Sequence, residues 1–120
     1  MLNVVATVRL GSMLETPDTI AAVSIENSGA RTVQVDVASI PPGGTTPDGW
    51  LPLGHSLRDT TATFHQVIDQ GDRWRFRFSH QGQEAVVDVS RAELEASGFT
   101  VAVPDSLDRA LAAAGVPVAP

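Results

Sequence analysis

The chain has no cysteine among its 120 residues, and this absence removes whole classes of chemistry. There is no disulfide framework, no thiol nucleophile and no thiolate metal site. A cysteine-free chain suits a reducing compartment. Lysine is missing as well: all eight basic residues are arginine. Together with the richness in Ala, Val and Gly, this reads as the codon bias of a high-GC genome and says little about mechanism. Positive charge is scarce overall. A formal net charge of −6 opposes binding to phosphate backbones and to anionic membranes, so neither nucleic acid nor a membrane is expected as a partner. Long apolar runs are also lacking, and none approaches the roughly 18 residues of a membrane span. The start, MLNVVATVRLGSM, has neither the basic n-region nor the unbroken apolar stretch of a signal peptide, so a cytoplasmic location is expected.

With 42% hydrophobic and 18% charged residues, the composition is that of a folded domain. At this length one β domain over residues 1–120 is expected, burying roughly 65% of the unfolded chain's surface. The dominant signal is apolar alternation with period two. It runs through Leu2, Val4, Ala6, Val8 and Leu10, then through Ala21, Val23 and Ile25, then through Val33, Val35 and Val37. The last two runs flank Asn27-Ser28-Gly29 and read as a hairpin. The stretch IPPGGTTPDGW interrupts the pattern, so residues 41–49 are expected to be a long loop from which Trp50, Leu51 and Leu53 return to the core. TTATFHQVI reads as a strand through His65 with an irregular end, placing Ala62, Phe64 and Ile68 inward.

The stretch GDRWRFRFSH interleaves aromatic residues with arginines. At period two, Trp74, Phe76 and Phe78 share one face and Arg73, Arg75 and Arg77 the other. The next alternating run, QEAVVDVS, offers Glu84 and Asp88 on its outer face. A turn through His80 and Gln81 sets Arg77 opposite Glu84 and Arg73 opposite Asp88. The next permitted register sets Arg75 opposite Asp88. Either gives opposite-charge neighbours across strands, each contributing about 0.2–1 kcal/mol. A nucleic-acid platform would instead leave its aromatics open for stacking and its arginines unpaired.

SRAELEASG carries a capping-box pair, Ser90 and Glu93, and a terminating Gly98, so a short corner helix is expected. FTVAV resumes the alternation at Phe99, Val101 and Val103. DSLDRALAAAG is a second helix over 105–115, capped by Asp105 or Ser106, with Leu107, Ala110, Leu111 and Ala114 on its docking face.

No catalytic, metal or cofactor motif stands out. His55, His65 and His80 lack the paired spacing of metal ligands. Glu93 and Glu95 lie on a short helix where solvation, not burial, is expected. Ser56 is close to His55 and Asp59 only in sequence, and triads are defined by geometry. Gly43 and Gly44 precede no strand–helix phosphate loop. The remaining candidates for binding are Trp50 at the end of the long loop, His65, and the row Arg73, Arg75 and Arg77, because long loops on β scaffolds often carry recognition.

Two stretches carry a resemblance. VSIENSGARTVQVDVASI resembles a hairpin of bacterial immunoglobulin-like modules. VVDVSRAELEASGFTVAV resembles the strand, helical corner and strand that precede the last strands of such a domain, with Phe99 where a tyrosine is usual. The likeness to immunoglobulin-like or fibronectin-like modules covers residues 19–103. It departs from them in having no cysteine pair and a helix where a final strand should lie. What it implies is a mainly β, antiparallel sandwich with a short corner helix and a short C-terminal helix. A small antiparallel β-barrel with a terminal helix fits the same pattern. The expected function is a non-enzymatic, soluble interaction module that binds a protein partner or assembles with itself, without cofactor or metal. The barrel would instead bind a small molecule, as a carrier or as a cyclase or isomerase of secondary metabolism, in a cavity lined by Trp50, Phe64, His65, Gln66 and Trp74.

Overall fold

A computed structural model describes residues 18–47 and 49–118. The described residues form, in chain order, β1 (Thr19–Asn27), β2 (Val33–Ser39), β3 (Leu51–Ser56), β4 (Thr60–Ile68), β5 (Arg73–His80), β6 (Gln83–Ser90), α1 (Arg91–Ala96), β7 (Thr100–Ala102) and α2 (Asp105–Ala113). The alternating run over residues 2–10 lies outside them.

The strands make two sheets, β4–β1–β7 and β3–β2–β5–β6. Their apolar faces pack together, and Val23, Ile25, Val35, Val37, Trp74, Phe76 and Phe78 are wholly buried between them. The architecture is the expected β-sandwich with two short helices, and among the described residues the sheets do not close into a barrel. In β5 the aromatic side chains stack in sequence, Trp74 on Phe76 at 5.9 Å and Phe76 on Phe78 at 6.4 Å between ring centroids. Such offset stacking adds to the area each ring buries. The Trp74 indole N–H donates to the Gly71 carbonyl at 2.8 Å, so the one polar atom of the side chain is satisfied.

The hairpin expected around Asn27 is not formed. β1 and β2 belong to different sheets, and residues 28–32 carry the chain across the sandwich. Asn27 explains the crossing. Its buried Nδ2 donates to the carbonyls of Arg31 (2.9 Å) and Ser56 (3.0 Å), while its Oδ1 accepts from the Gly29 N–H at 3.0 Å. One side chain thus ties the end of β1 to the start of the second sheet, and a buried amide satisfied this way is costly to lose. β1 pairs instead with β4, antiparallel, and with β7, parallel.

The phase of burial also changes within one strand pair. Ala21 is exposed, and Val67 is buried in place of the expected Ile68, which is exposed. Gln66 has φ 54°, a left-handed conformation inside β4, which shifts the inward face by one residue beyond it. On the partner strand Ile20 takes the inward place. In β3, register shifts opposite Val35 and Asp36, and Gly54 at φ 144° sits under Phe64. A Cβ there would lie 2.9 Å from the Phe64 ring, so only glycine fits.

β6 leads into α1 through the expected capping box. The Glu93 N–H donates to Ser90 Oγ at 3.0 Å and the Ser90 N–H to Glu93 Oε1 at 2.8 Å. Past the C-cap Ser97, the Phe99 N–H reaches the Leu94 carbonyl and the Gly98 N–H that of Glu95, a Schellman ending. α2 is capped differently from expectation. Pro104 holds the N-cap position without a side-chain bond, in place of the expected Asp105 or Ser106, which lie inside the helix; the Asp108 carboxylate accepts from the Ala30 N–H and pairs with Arg31. Arg31, buried, also donates to the Val116 carbonyl at 2.7 Å, locking the end of α2 against the β1–β2 crossing while Leu107 and Leu111 enter the core.

Trp74→Ala is expected to cost about 3–5 kcal/mol in urea denaturation, the usual penalty for emptying a fully buried aromatic site. A loss below about 1 kcal/mol would show that the aromatic ladder is not the core.

Candidate functional site

β5 and β6 are joined by the two-residue turn Gln81-Gly82, both at positive φ (47° and 81°), as a type I′ hairpin requires. This turn selects the second of the two expected registers: Arg75 faces Asp88, while Arg77 faces Val86 and Arg73 faces Ser90. The Arg75 guanidinium grips Asp88 with two parallel bonds, Nε to Oδ1 at 2.6 Å and Nη2 to Oδ2 at 2.9 Å. Bidentate geometry of this kind is the strong form of the pair. The Arg75 hydrogen bond, aided by the nearby charges of Arg75 and Arg73, holds the Asp88 carboxyl below its ordinary value against a smaller opposing effect of burial.

On the other side of β5, Arg77 faces Asp36 of β2. Asp36 is only 3% exposed although it lies on the outer face of the sheet. Its Oδ2 accepts from Arg77 Nη2 at 3.2 Å and Nε at 3.3 Å, and Gln34 Nε2 adds a bond to Oδ1 at 3.3 Å. The Arg77 guanidinium lies over the Trp50 ring, 4.1 Å from its centroid, in a cation–π contact. Trp50 is thus half-buried on the outer face of the four-stranded sheet rather than returned to the core.

The three arginines share a further task. Arg73 Nη1 donates to the Gly44 carbonyl at 2.8 Å and Arg75 Nη1 to the Thr45 carbonyl at 3.2 Å. With Arg77 under Trp50, the row fastens the proline–glycine loop at three successive points. Ala38, on the outer register of β2 opposite Arg75, is fully buried beneath this cover. The expectation of an acidic partner on the neighbouring strand holds for Arg75 with Asp88; Arg77 does not meet Glu84, which faces Ser79, but pairs with Asp36 of β2. The second role of the row, donating to loop carbonyls, has no signature in residue types, because a carbonyl is present at every position.

Of the five candidate residues, Trp50, Arg73, Arg75 and Arg77 are therefore brought together. His65 is not: it lies exposed on β4, in the other sheet. It borders an open groove of about 440 Å³ between the edges of β3 and β4, lined also by Leu51, Leu53, Phe64 and Val67. Trp74 and Trp50 take no part in that groove. His55 is exposed on β3 and His80 is half-buried at the end of β5. Among the described residues no three His, Cys, Asp or Glu side chains converge as metal ligands. Ser56 is wholly buried while neighbouring His55 and Asp59 are exposed, so these three form no triad. Glu93 and Glu95 are exposed, as expected; Glu95 pairs with Arg91 at 3.3 Å. Among the described residues no helix is long and apolar enough to cross a membrane.

No protein-family model, curated protein or solved structure matches this chain.

Two outcomes follow from the pairs. Arg77→Ala leaves the buried Asp36 carboxylate without its counter-charge, at an expected cost of about 1–3 kcal/mol in urea unfolding, with Trp50 emission shifting to the red as its cover is lost. A stability unchanged by Arg77→Ala would show that Asp36 does not depend on it. The Asp88 carboxyl is depressed, so its contribution to stability is complete above the ordinary carboxylate range and is lost as pH falls below about 4. Asp88→Asn should flatten the fall of stability in that acid window and leave its slope near neutrality unchanged, as read by thermal melts from acid to neutral pH.

Proposed function

We propose that the chain is a non-enzymatic interaction module that contacts a protein partner, or a second copy of itself, through the outer face of the β3–β2–β5–β6 sheet. The observation that carries this reading is the pinning of the 41–50 loop across that face by Arg73, Arg75 and Arg77. A loop ordered before binding loses less entropy on association than a free one, so an anchored loop is a more effective recognition surface. Beside it the apolar side chain of Val86 projects from β6, 49% exposed, next to Arg77. Trp50 and Arg77 are of the residue types that contribute most in protein interfaces, and Val86 adds exposed apolar area beside them. The arginines spend much of their donor capacity within the fold, which supports a role in shaping the surface and argues against a grip on nucleic acid.

The strand order supports an immunoglobulin-like reading. If β1 to β6 are taken as strands B, C, C′, E, F and G, one sheet is GFCC′ and the other contains the B–E pair. β7 then lies beside B, where strand A would pair. The fold by itself licenses no function. A cytoplasmic location belongs to the same proposal, on the absence of cysteine.

The test is a photoreactive residue placed at position 86 and, separately, at position 105 on exposed α2. Illumination in the native cell should give protein adducts at 86, either with one recurrent partner or as the dimer of this chain, and few at 105. Trp50→Ala should weaken the adducts at 86 without unfolding the protein. Equal adducts at both positions, or none at 86, would remove the outer face as the interface.

A further inference from the structure

The outer face of the four-stranded sheet changes character along its strands. Toward Ser39 the arginine row and the 41–50 loop occupy it. At the other end lies a shallow dish of about 350 Å³, lined by Thr32, Gln34, His55, Ser79, His80 and the Gln81-Gly82 turn. Strand register builds its floor. His55 of β3 faces Gln34 of β2, and Gln34 faces Ser79 of β5. Three polar residues therefore stand in one row on three adjacent strands, which lie about 4.8 Å apart. The dish is one row beyond Val86, which faces Arg77, so it is a place on the sheet that the interface reading does not use.

Two properties of the lining point to a class of ligand. The first is open bonding capacity. Among the described residues, the side chains of Thr32, His55, Ser79, His80 and Gln81 have no hydrogen-bond partner. Gln34 turns its Nε2 to Asp36 at 3.3 Å, which directs its Oε1 away from that carboxylate. The arginine end of the face is the opposite case: Arg73, Arg75 and Arg77 are engaged with loop carbonyls, Asp88 and Asp36. The second property is a single kind of chemistry. The lining holds no carboxylate, no guanidinium and no hydrophobic residue. Its hydroxyl, amide and neutral imidazole groups each donate and accept. An anion would need guanidinium groups or a helix N-terminus. A metal ion would need several converging ligands, and among the described residues no three His, Cys, Asp or Glu side chains converge. An acyl or aromatic ligand would need apolar walls.

We propose that the dish binds a sugar ring of a neutral carbohydrate, with Gln34, His55 and Ser79 bonding to its hydroxyls. A sugar hydroxyl donates and accepts, as each of these side chains does, so the two surfaces match without charge on either. The strand spacing is close to the separation of alternate hydroxyls on a six-membered sugar ring, so one ring edge spans neighbouring strands. The row stands on paired strands, and the tight Gln81-Gly82 turn closes the hairpin beside it, so the site is formed before the ligand arrives and no loop has to be ordered. An open dish covers one side of a ring only, and millimolar affinity is expected for a single sugar.

NMR titration of the isotopically labelled full chain tests this. The probes are glucose, galactose, mannose and N-acetylglucosamine, with the disaccharides maltose, lactose and chitobiose. At least one should move the amide signals of Gln34, His55 and Ser79 to saturation in the millimolar range, while those of Thr61 and His65 in the other sheet stay in place. The double variant Gln34→Ala, Ser79→Ala should weaken that binding about tenfold or more, as the loss of two hydrogen bonds implies. Its unchanged Trp74 and Phe76 signals would show that it is folded. Thr61→Ala should leave the binding as it is. The titration of the native chain decides without any variant: no saturable shift at the dish with any of these sugars overturns the proposal. Tighter binding of a sugar phosphate or of glucuronate than of the neutral sugars would mark an anion site and overturn it as well. An uncharged peptide of glycine and serine that saturates the same signals as well as the sugars would assign the dish to protein backbone instead. Failure here leaves the adducts expected at position 86 unaffected, and loss of those adducts leaves the sugar shifts unaffected, so the two readings fall separately.

Discussion

β5 is the strand on which both layers of this protein rest, and the reason is the pleat. Successive side chains must point to opposite faces, so alternating aromatic and arginine residues separate completely. Inward, Trp74, Phe76 and Phe78 form a stacked row with no exposed surface. Outward, Arg73, Arg75 and Arg77 reach left to Asp36, right to Asp88 and upward to the 41–50 loop. The hydrophobic row holds the sheets together by removing apolar area from water. The arginine row cannot do this. It turns the solvent side of the sheet into a surface on which an otherwise unstructured loop has a defined place.

The two acidic partners of that row are not equivalent. The Arg75–Asp88 pair has the better geometry but a half-exposed carboxylate, 48% accessible, and pairs of that kind contribute little net stability in water. Asp36 is almost inaccessible, and its burial makes Arg77 necessary rather than merely favourable, because a carboxylate removed from water needs a compensating charge and hydrogen bonds. Trp50 is held by the same guanidinium that pairs with Asp36. The tryptophan and the ion pair thus share Arg77, and the loop carbonyls share its neighbours Arg73 and Arg75.

A second fixed point lies at the far end of the sandwich, where the chain crosses between sheets. Asn27 joins β1 to the end of β3, and Arg31 joins the crossing to α2 through Asp108 and Val116. Neither residue type announces such a role. Asn-Ser-Gly is a turn signal whatever the strands on either side do. Alternation places Val23 and Ile25 on the same side as Val33, Val35 and Val37 in a hairpin, side by side, and equally in a crossing, face to face. The structure takes the crossing, with β1 paired to β4 and β7 and β2 to β3 and β5, and the Asn27 amide braces it through the carbonyls of Arg31 and Ser56.

What the sequence determined alone was local and periodic. It determined which residues of β2, β5 and β7 face inward, the capping box of α1, the interruption at 41–49, and the opposite-charge facing of β5 and β6, because each depends on neighbours within a few residues or on a period of two. The tertiary structure decided everything that depends on distant segments meeting. It decided the partner of β1, the left-handed Gln66 that exposes Ile68, the pairing of Asp108 with Arg31, and the binding of loop carbonyls by the arginine row. Carbonyls and buried space are distributed without regard to residue type, so only the folded geometry selects which of them a given arginine or asparagine will use.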